Sequence, residues 1–163
     1  QFQLHFNQDQ QHNNRQYIFS SDSHGLNITD IAFLNTNITA SSAELLQVSL
    51  DTYLNTTKIG QQTYGKPVGM NAWTFSNSDD VLVSVTFKNK SATGYSDYYE
   101  GLFPDVTVAD DPQHAFGDPH CPMVSAGLAS LTGTRAHSIN AKVLVNSLPI
   151  GKKKTFQELK YLY

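Results

Sequence analysis

Ile28-Thr29-Asp30-Ile31-Ala32-Phe33-Leu34 leads into Asn35-Thr36-Asn37-Ile38-Thr39-Ala40-Ser41-Ser42-Ala43-Glu44, and there the hydrophobic period changes. The first segment is rich in β-branched and apolar residues, and 31–34 is unbroken. A run without alternation suggests a strand buried on both faces, as in a parallel sheet. After the polar turn, Leu46, Leu50 and Leu54 recur every fourth residue, with Ala43, Val48 and Tyr53 nearby. This spacing predicts an amphipathic helix from Ser42 to Leu54. With the short apolar piece Lys58-Ile59-Gly60 the segment becomes a strand–helix–strand unit.

Working outward, Phe2, Leu4 and Phe6 alternate as a strand should, and the polar stretch Asn7–Gln16 reads as a long loop. Tyr17–Ser20 reads as a second short strand, ended by the Ser21–Gly25 turn. Asn71–Phe75 and Val81–Phe87 alternate around the polar Ser76–Asp80, which predicts an antiparallel hairpin. Residues 95–108 are punctuated by Gly101 and Pro104 and read as irregular. A second helix is expected over Pro122–Leu131, opened by Pro119 and Pro122 and stopped by Gly133. Ala141–Val145 reads as strand-like and Lys152-Lys153-Lys154 as a solvated tail. The alternation of strand and helix gives an α/β class with a mixed sheet.

The 163 residues suffice for one domain. Lys and Arg number 11 against 14 Asp and Glu, so the charge of −3 excludes a strongly basic nucleic-acid binder. No apolar run approaches the ~20 residues of a membrane span, and the Gln/Asn-rich residues 1–16 carry no signal-peptide core. A single cysteine, Cys121, excludes an internal disulfide framework and a multi-cysteine zinc site. Asp118-Pro119-His120-Cys121, with His114 nearby, has metal-ligand residue types, but the helix start explains it sufficiently. The sequons at Asn27, Asn37, Asn55 and Asn89 are what an Asn/Ser/Thr-rich chain produces by chance. Charged residues are 15% of the chain, a composition common in exported proteins.

Chemistry concentrates at the strand-to-helix turn. Ser41-Ser42-Ala43-Glu44 has the form of an S-x-x-E capping box, a sufficient structural role in itself. A serine there also projects from the C-terminal edge of a sheet, where α/β sites lie, beside a helix N-terminus that favours developing negative charge. Thr63-Tyr64-Gly65-Lys66-Pro67-Val68-Gly69 supplies a lysine that reads alone as a loop residue and with the serine as a catalytic base. A lysine side chain ordinarily titrates near ~10.4, so a lysine base needs burial, and Tyr64, Pro67 and Val68 are suitable walls. A carboxylate beside the amine would oppose it, so Glu44 is expected to cap the helix or orient the serine.

Thr39-Ala40-Ser41-Ser42-Ala43-Glu44 followed by Thr63-Tyr64-Gly65-Lys66 resembles the S41 peptidases, the C-terminal processing proteases. Their T-A-S-x-x-E segment precedes a T-x-G-K segment whose lysine lies 25 positions after the serine, the spacing of Ser41 and Lys66. Gly101-Leu102-Phe103-Pro104-Asp105 resembles the family's G-x-x-P-D segment. Ala109-Asp110-Asp111 to Gly117-Asp118-Pro119, with the helix that follows, resembles the ending of envelope-associated members. The likeness spans about Ile28 to Leu131. It implies a ClpP/crotonase-like α/β fold with a mixed sheet, here an incomplete domain: residues 1–163 as one partial catalytic domain, 17–135 as its recognisable core, 136–163 as a tail. It implies Ser41 as nucleophile, Lys66 as general base and Glu44 as support for the serine's helix, with Ser42 a rival nucleophile that breaks the register.

The implied activity is a serine endopeptidase that acts on a polypeptide substrate through an acyl-enzyme, with no cofactor and no metal, and resides in the periplasm, the cell envelope or the secreted fraction. The glutamine that many processing proteases carry four residues after the lysine is Met70 here. The family's glycine-rich D-L-R-x-N-x-G-G turn, which is expected to supply part of the oxyanion hole, has no counterpart in these residues. A front part of the same protein or another chain is therefore expected to complete the site. The rival reading is an inactive S41-like fragment that binds a peptide or a protein.

Overall fold

The computed structural model describes residues 1–21 and 25–133. The tail features at 141–145 and 152–154 lie outside the described residues. Nine elements follow in chain order: β1 (Phe2–Phe6), β2 (Arg15–Tyr17), β3 (Asp30–Asn35), α1 (Ser42–Leu50), β4 (Asn55–Gly60), β5 (Val68–Thr74), β6 (Val81–Ser91), β7 (Val106–Thr107) and α2 (Pro122–Thr132). The α/β class expected from the sequence is observed. Its parallel and antiparallel pairings divide between two sheets: a parallel β3-β4-β7 sheet and an antiparallel β2-β1-β6-β5 sheet.

The strand–helix–strand unit forms around parallel pairing of β3 and β4, from Asp30 opposite Asn55 to Asn35 opposite Gly60. Gly60 has φ +113°, and a Cβ there would meet the Asn35 carbonyl oxygen at 2.1 Å. Only glycine permits so close a crossing of the two strand ends. β3 is not buried on both faces, since Leu34 is 43% exposed; α2 covers one face, with Gly127 against Leu34 and Ile59.

Helix α1 ends at Leu50, four residues earlier than the leucine spacing suggests. Asp51 caps the helix end with helical φ/ψ, its N–H on the Gln47 carbonyl, and its carboxylate reaches β4, where Lys58 Nζ bonds both oxygens at 2.9 Å. The leucines also misreport the buried face. Leu46 is 52% exposed, whereas the buried residues of α1 are Glu44, Gln47, Val48 and Ser49. A helix whose inner face is largely polar must find hydrogen-bond partners for it. Gln47 does so with Asn35 at the end of β3, through two reciprocal 2.8 Å bonds. Val48 joins Tyr98 and Leu102 in a small core, with Leu45 at its margin.

The antiparallel sheet contains the expected hairpin, β5–β6, from Val68 opposite Lys88 to Thr74 opposite Val81, with an irregularity at Gly69/Met70. Strand β1 is where the alternation places it, and it pairs with both β2 and β6. The second strand lies at Arg15–Tyr17 rather than 17–20, because its register is set by stacking of Tyr17 on Phe2, ring centroids 4.8 Å apart. The stretch read as loop holds a 3-10 segment, Gln8–Asn13, that Asn7 opens by accepting the Gln10 N–H. Helix α2 starts at Pro122 and ends against Gly133 in the left-handed conformation, as the proline and glycine signals require.

Candidate active site

The chain leaves β3 and tightens through Thr36 and Thr39, whose N–H groups bond Thr39 Oγ1 and the Thr36 carbonyl, each at 3.0 Å. Ser41 then takes φ 56°, ψ −114°, one of two positive-φ residues other than glycine among the described residues. Such a conformation costs a residue with a Cβ on the order of 1–3 kcal/mol, and it persists only where its surroundings impose it. Of the capping box the sequence offers, one half forms as a hydrogen bond: the Glu44 carboxylate accepts the Ser41 N–H at 2.9 Å. The Ser41 hydroxyl takes the other half of the box, facing the Glu44 main chain without closing to a hydrogen bond. The cap reading therefore accounts for Glu44 in full and for the serine's hydroxyl by position alone.

Glu44 is fully buried and accepts four hydrogen bonds. One oxygen takes the Ser41 N–H (2.9 Å) and the Lys66 N–H (2.8 Å). The other takes the Gly65 N–H (2.7 Å) and the Thr63 hydroxyl (2.5 Å). The main chains of Ser41 and Lys66, 25 positions apart, thus meet on one carboxylate oxygen. Four donors are what an ionised carboxylate needs to sit away from water. Tyr64 N–H to the Thr39 carbonyl, at 2.8 Å, adds a further bond between the two turns.

The G-x-x-P-D segment belongs to the same assembly. Thr63 N–H bonds the Leu102 carbonyl at 3.1 Å, and Leu102 N–H bonds Thr63 Oγ1 at 2.7 Å. Gly65 (φ +91°) and Gly101 (φ +93°) pack against the opposing backbones: a Cβ on Gly65 would lie 2.2 Å from the Tyr99 carbonyl oxygen, and one on Gly101 2.1 Å from that of Thr63. The glycines of two sequence motifs are each required by the other segment's backbone.

Lys66 is half-buried, between buried Gly65 and Pro67; its Nζ donates to the Met70 sulfur at 3.7 Å. Met70 therefore sits at the lysine, at the position where the resemblance expects glutamine. Ser42, the rival nucleophile, is exposed at the first turn of α1.

Sequence reasoning missed Asn35, Gln47 and Thr63, the polar residues that frame Glu44's helix. Gln47 follows Glu44 by one helical turn, the only available signal that the buried face is polar. Of the aromatics of the hairpin and of the 95–103 stretch, Tyr98 and Tyr99 are buried, whereas Tyr95, Phe103 and Trp73 are 48%, 66% and 43% exposed. The Tyr98 hydroxyl is buried without a hydrogen-bond partner among the described residues. Burial, and then the Glu44 charge, raise its pKa well above the ordinary tyrosine value. At the start of α2, Asp118 holds His120 Nδ1 at 3.0 Å on the surface, its carboxyl pulled below the ordinary range by the His120 main-chain and ring bonds. Cys121 is buried as the residue capping α2.

A serine at positive φ between a parallel strand and a helix is thus joined through a buried carboxylate to a glycine-lysine turn in an α/β protein. No protein-family model matches the chain, and no curated protein does. Among solved structures, a protein from Bacteroides fragilis NCTC 9343 described as an S41 protease superposes with a TM-score of 0.73 at 23% identity, over 81% of this chain and 36% of its own. A lipoprotein from Streptococcus agalactiae gives 0.51 at 19% identity, over 66% and 39%. The photosystem II D1 C-terminal processing protease gives 0.43 at 20% identity, over 64% and 25%. The chain has the fold of part of an S41 protease and spans about a third of the first of these proteins. No helix among the described residues is long and apolar enough to cross a membrane.

Proposed function

We propose that this chain carries the nucleophile and general base of a serine endopeptidase of the S41 kind. The observation that supports this most is the Glu44 carboxylate, which gathers the Ser41 and Lys66 main chains on one oxygen. In this reading Ser41 Oγ attacks the carbonyl carbon of a peptide bond as Lys66 Nζ accepts its proton. Lys66 returns that proton to the leaving amine as the C–N bond breaks. Water then hydrolyses the acyl-serine ester and regenerates the hydroxyl. Glu44 is a positioning residue. The positive end of α1 adjoins the turn where negative charge develops. The remaining oxyanion donors come from protein outside these residues, and the site of action is the periplasm, the cell envelope or the secreted fraction.

A fluorophosphonate probe on the protein carrying this chain tests the proposal. Labelling is expected at Ser41 and is lost in Ser41→Ala. Lys66→Ala should slow peptide cleavage by about 10²–10⁴-fold with less change in KM. Labelling that survives Ser41→Ala would remove the nucleophile from the proposal. A second reading, an inactive peptide-binding module, is favoured by Met70 at the lysine. It predicts peptide binding with no labelling at Ser41.

A further inference from the structure

Away from Ser41, the antiparallel sheet and the 3-10 segment enclose a cavity of about 580 Å³, within the range of small-molecule sites. Four aromatic rings line it: Phe6, Tyr17, Trp73 and Phe87. Tyr17 and Trp73 are 46% and 43% exposed, so flat ring surface is open to a ligand. Tyr17 is backed by its stack on Phe2, and Phe6 leans on Phe87 with centroids 5.4 Å apart.

The polar part of the lining is dominated by carboxamides: Asn7, Gln10, Asn13 and Asn71. Three are held in a chain. Asn7 Oδ1 accepts the Gln10 N–H at 3.1 Å, and Gln10 Oε1 accepts from Asn13 Nδ2 at 2.9 Å. A carboxamide offers both donors and acceptors, and each of the three has capacity beyond these bonds. The Thr86 hydroxyl, also in the lining, is buried with no hydrogen-bond partner. A buried polar group left unpaired calls for a partner.

Among the described residues the lining holds no carboxylate and no lysine, which disfavours cationic ligands. Its one cation, Arg15, directs Nη1 to the carbonyls of Asn14 (3.1 Å) and His12 (3.5 Å), which disfavours a strongly anionic ligand. An extended peptide would need an unpaired strand edge. The two strands at the centre of this site, β1 and β6, are paired on both sides. Flat rings for C–H faces and carboxamides for hydroxyls match one ligand class. We propose that this cavity binds a neutral, polyhydroxylated ligand, a short segment of a sugar chain.

Trp73 is the only tryptophan of the chain, so its fluorescence reports on the cavity. The test titrates the chain with chitohexaose, maltohexaose and cellohexaose, with a neutral alanine hexapeptide as comparison. A saturable change in Trp73 emission is expected with at least one of the sugars. Gln10→Ala and Asn71→Ala, both at exposed positions, should each raise its dissociation constant about 5-fold, the loss of one ordinary hydrogen bond. Ser41→Ala should leave it unchanged, so this result stands apart from the peptidase proposal. No saturable change with any of the three sugars, a response to the hexapeptide alone, or equal binding by both variants would overturn it.

Discussion

The turn around Glu44 and the concave face of the antiparallel sheet treat polar groups in opposite ways. At Glu44 a fully buried carboxylate is saturated by four donors from two segments, and two glycines let the backbones close on one another. On the sheet face, rings stand partly exposed. A saturated network in low dielectric rigidifies what it holds, and removing one member strands all the others. An open face holds its groups in reserve for something outside. The first arrangement suits positioning of reactive groups, the second recognition.

Paired truncations break or sharpen this contrast. Glu44→Ala leaves the Ser41, Gly65 and Lys66 amides and the Thr63 hydroxyl without their acceptor, and should cost about 3–5 kcal/mol in urea denaturation. Trp73→Ala, which removes far more side chain from an exposed strand, should cost about 1 kcal/mol or less. Equal losses would show that the carboxylate is no more a keystone than a surface ring.

The next effect is a dependence on pH at the edge of the same network. Tyr98 holds its phenol proton more tightly folded than unfolded, because burial and the nearby Glu44 charge both oppose the phenolate. Its contribution is whole below the ordinary tyrosine value of about 10 and is lost as the pH rises past it, with a slope of at most about 1.4 kcal/mol per pH unit. Tyr98→Phe should remove that part of the alkaline slope. At neutral pH it should cost little, since the hydroxyl it deletes is buried and unpartnered. An unchanged difference in stability between the two proteins from pH 8 to 11 would place the phenolate in water instead.

Much of the fold was legible because local signals agree with it. Pro122 and Gly133 bracket α2, alternation finds β5 and β6, and the shift of period after Leu34 finds the strand–helix–strand unit. The inner face of α1 was not legible. Leucine spacing points to 46, 50 and 54, but the helix turns Glu44 and Gln47 inward because partners 12 to 22 positions away in sequence satisfy them. Hydrophobic periodicity assumes that burial means apolar, and it fails where burial is polar. In the same way, Ser41, Glu44 and Lys66 were legible as types and spacing, whereas Asn35 carries no local signal and Thr63 shows only as the first residue of the T-x-G-K segment. Their roles exist only once the segments meet.

The smallest effects fall on Ser41 itself and separate its two readings. An N-cap serine loses about 1 kcal/mol when changed to alanine. Here the hydroxyl sits in the capping-box position without closing to a hydrogen bond, and the bond that forms is the Ser41 N–H to Glu44, so Ser41→Ala should leave stability within about 0.5 kcal/mol. Ser41→Gly relieves the φ 56° backbone and should stabilise by up to about 1 kcal/mol, net of glycine's greater freedom when unfolded. Thermal melts of the two variants beside the parent check this directly. A loss of about 1 kcal/mol in the alanine variant, with no gain in the glycine variant, would return Ser41 to the helix as an ordinary cap.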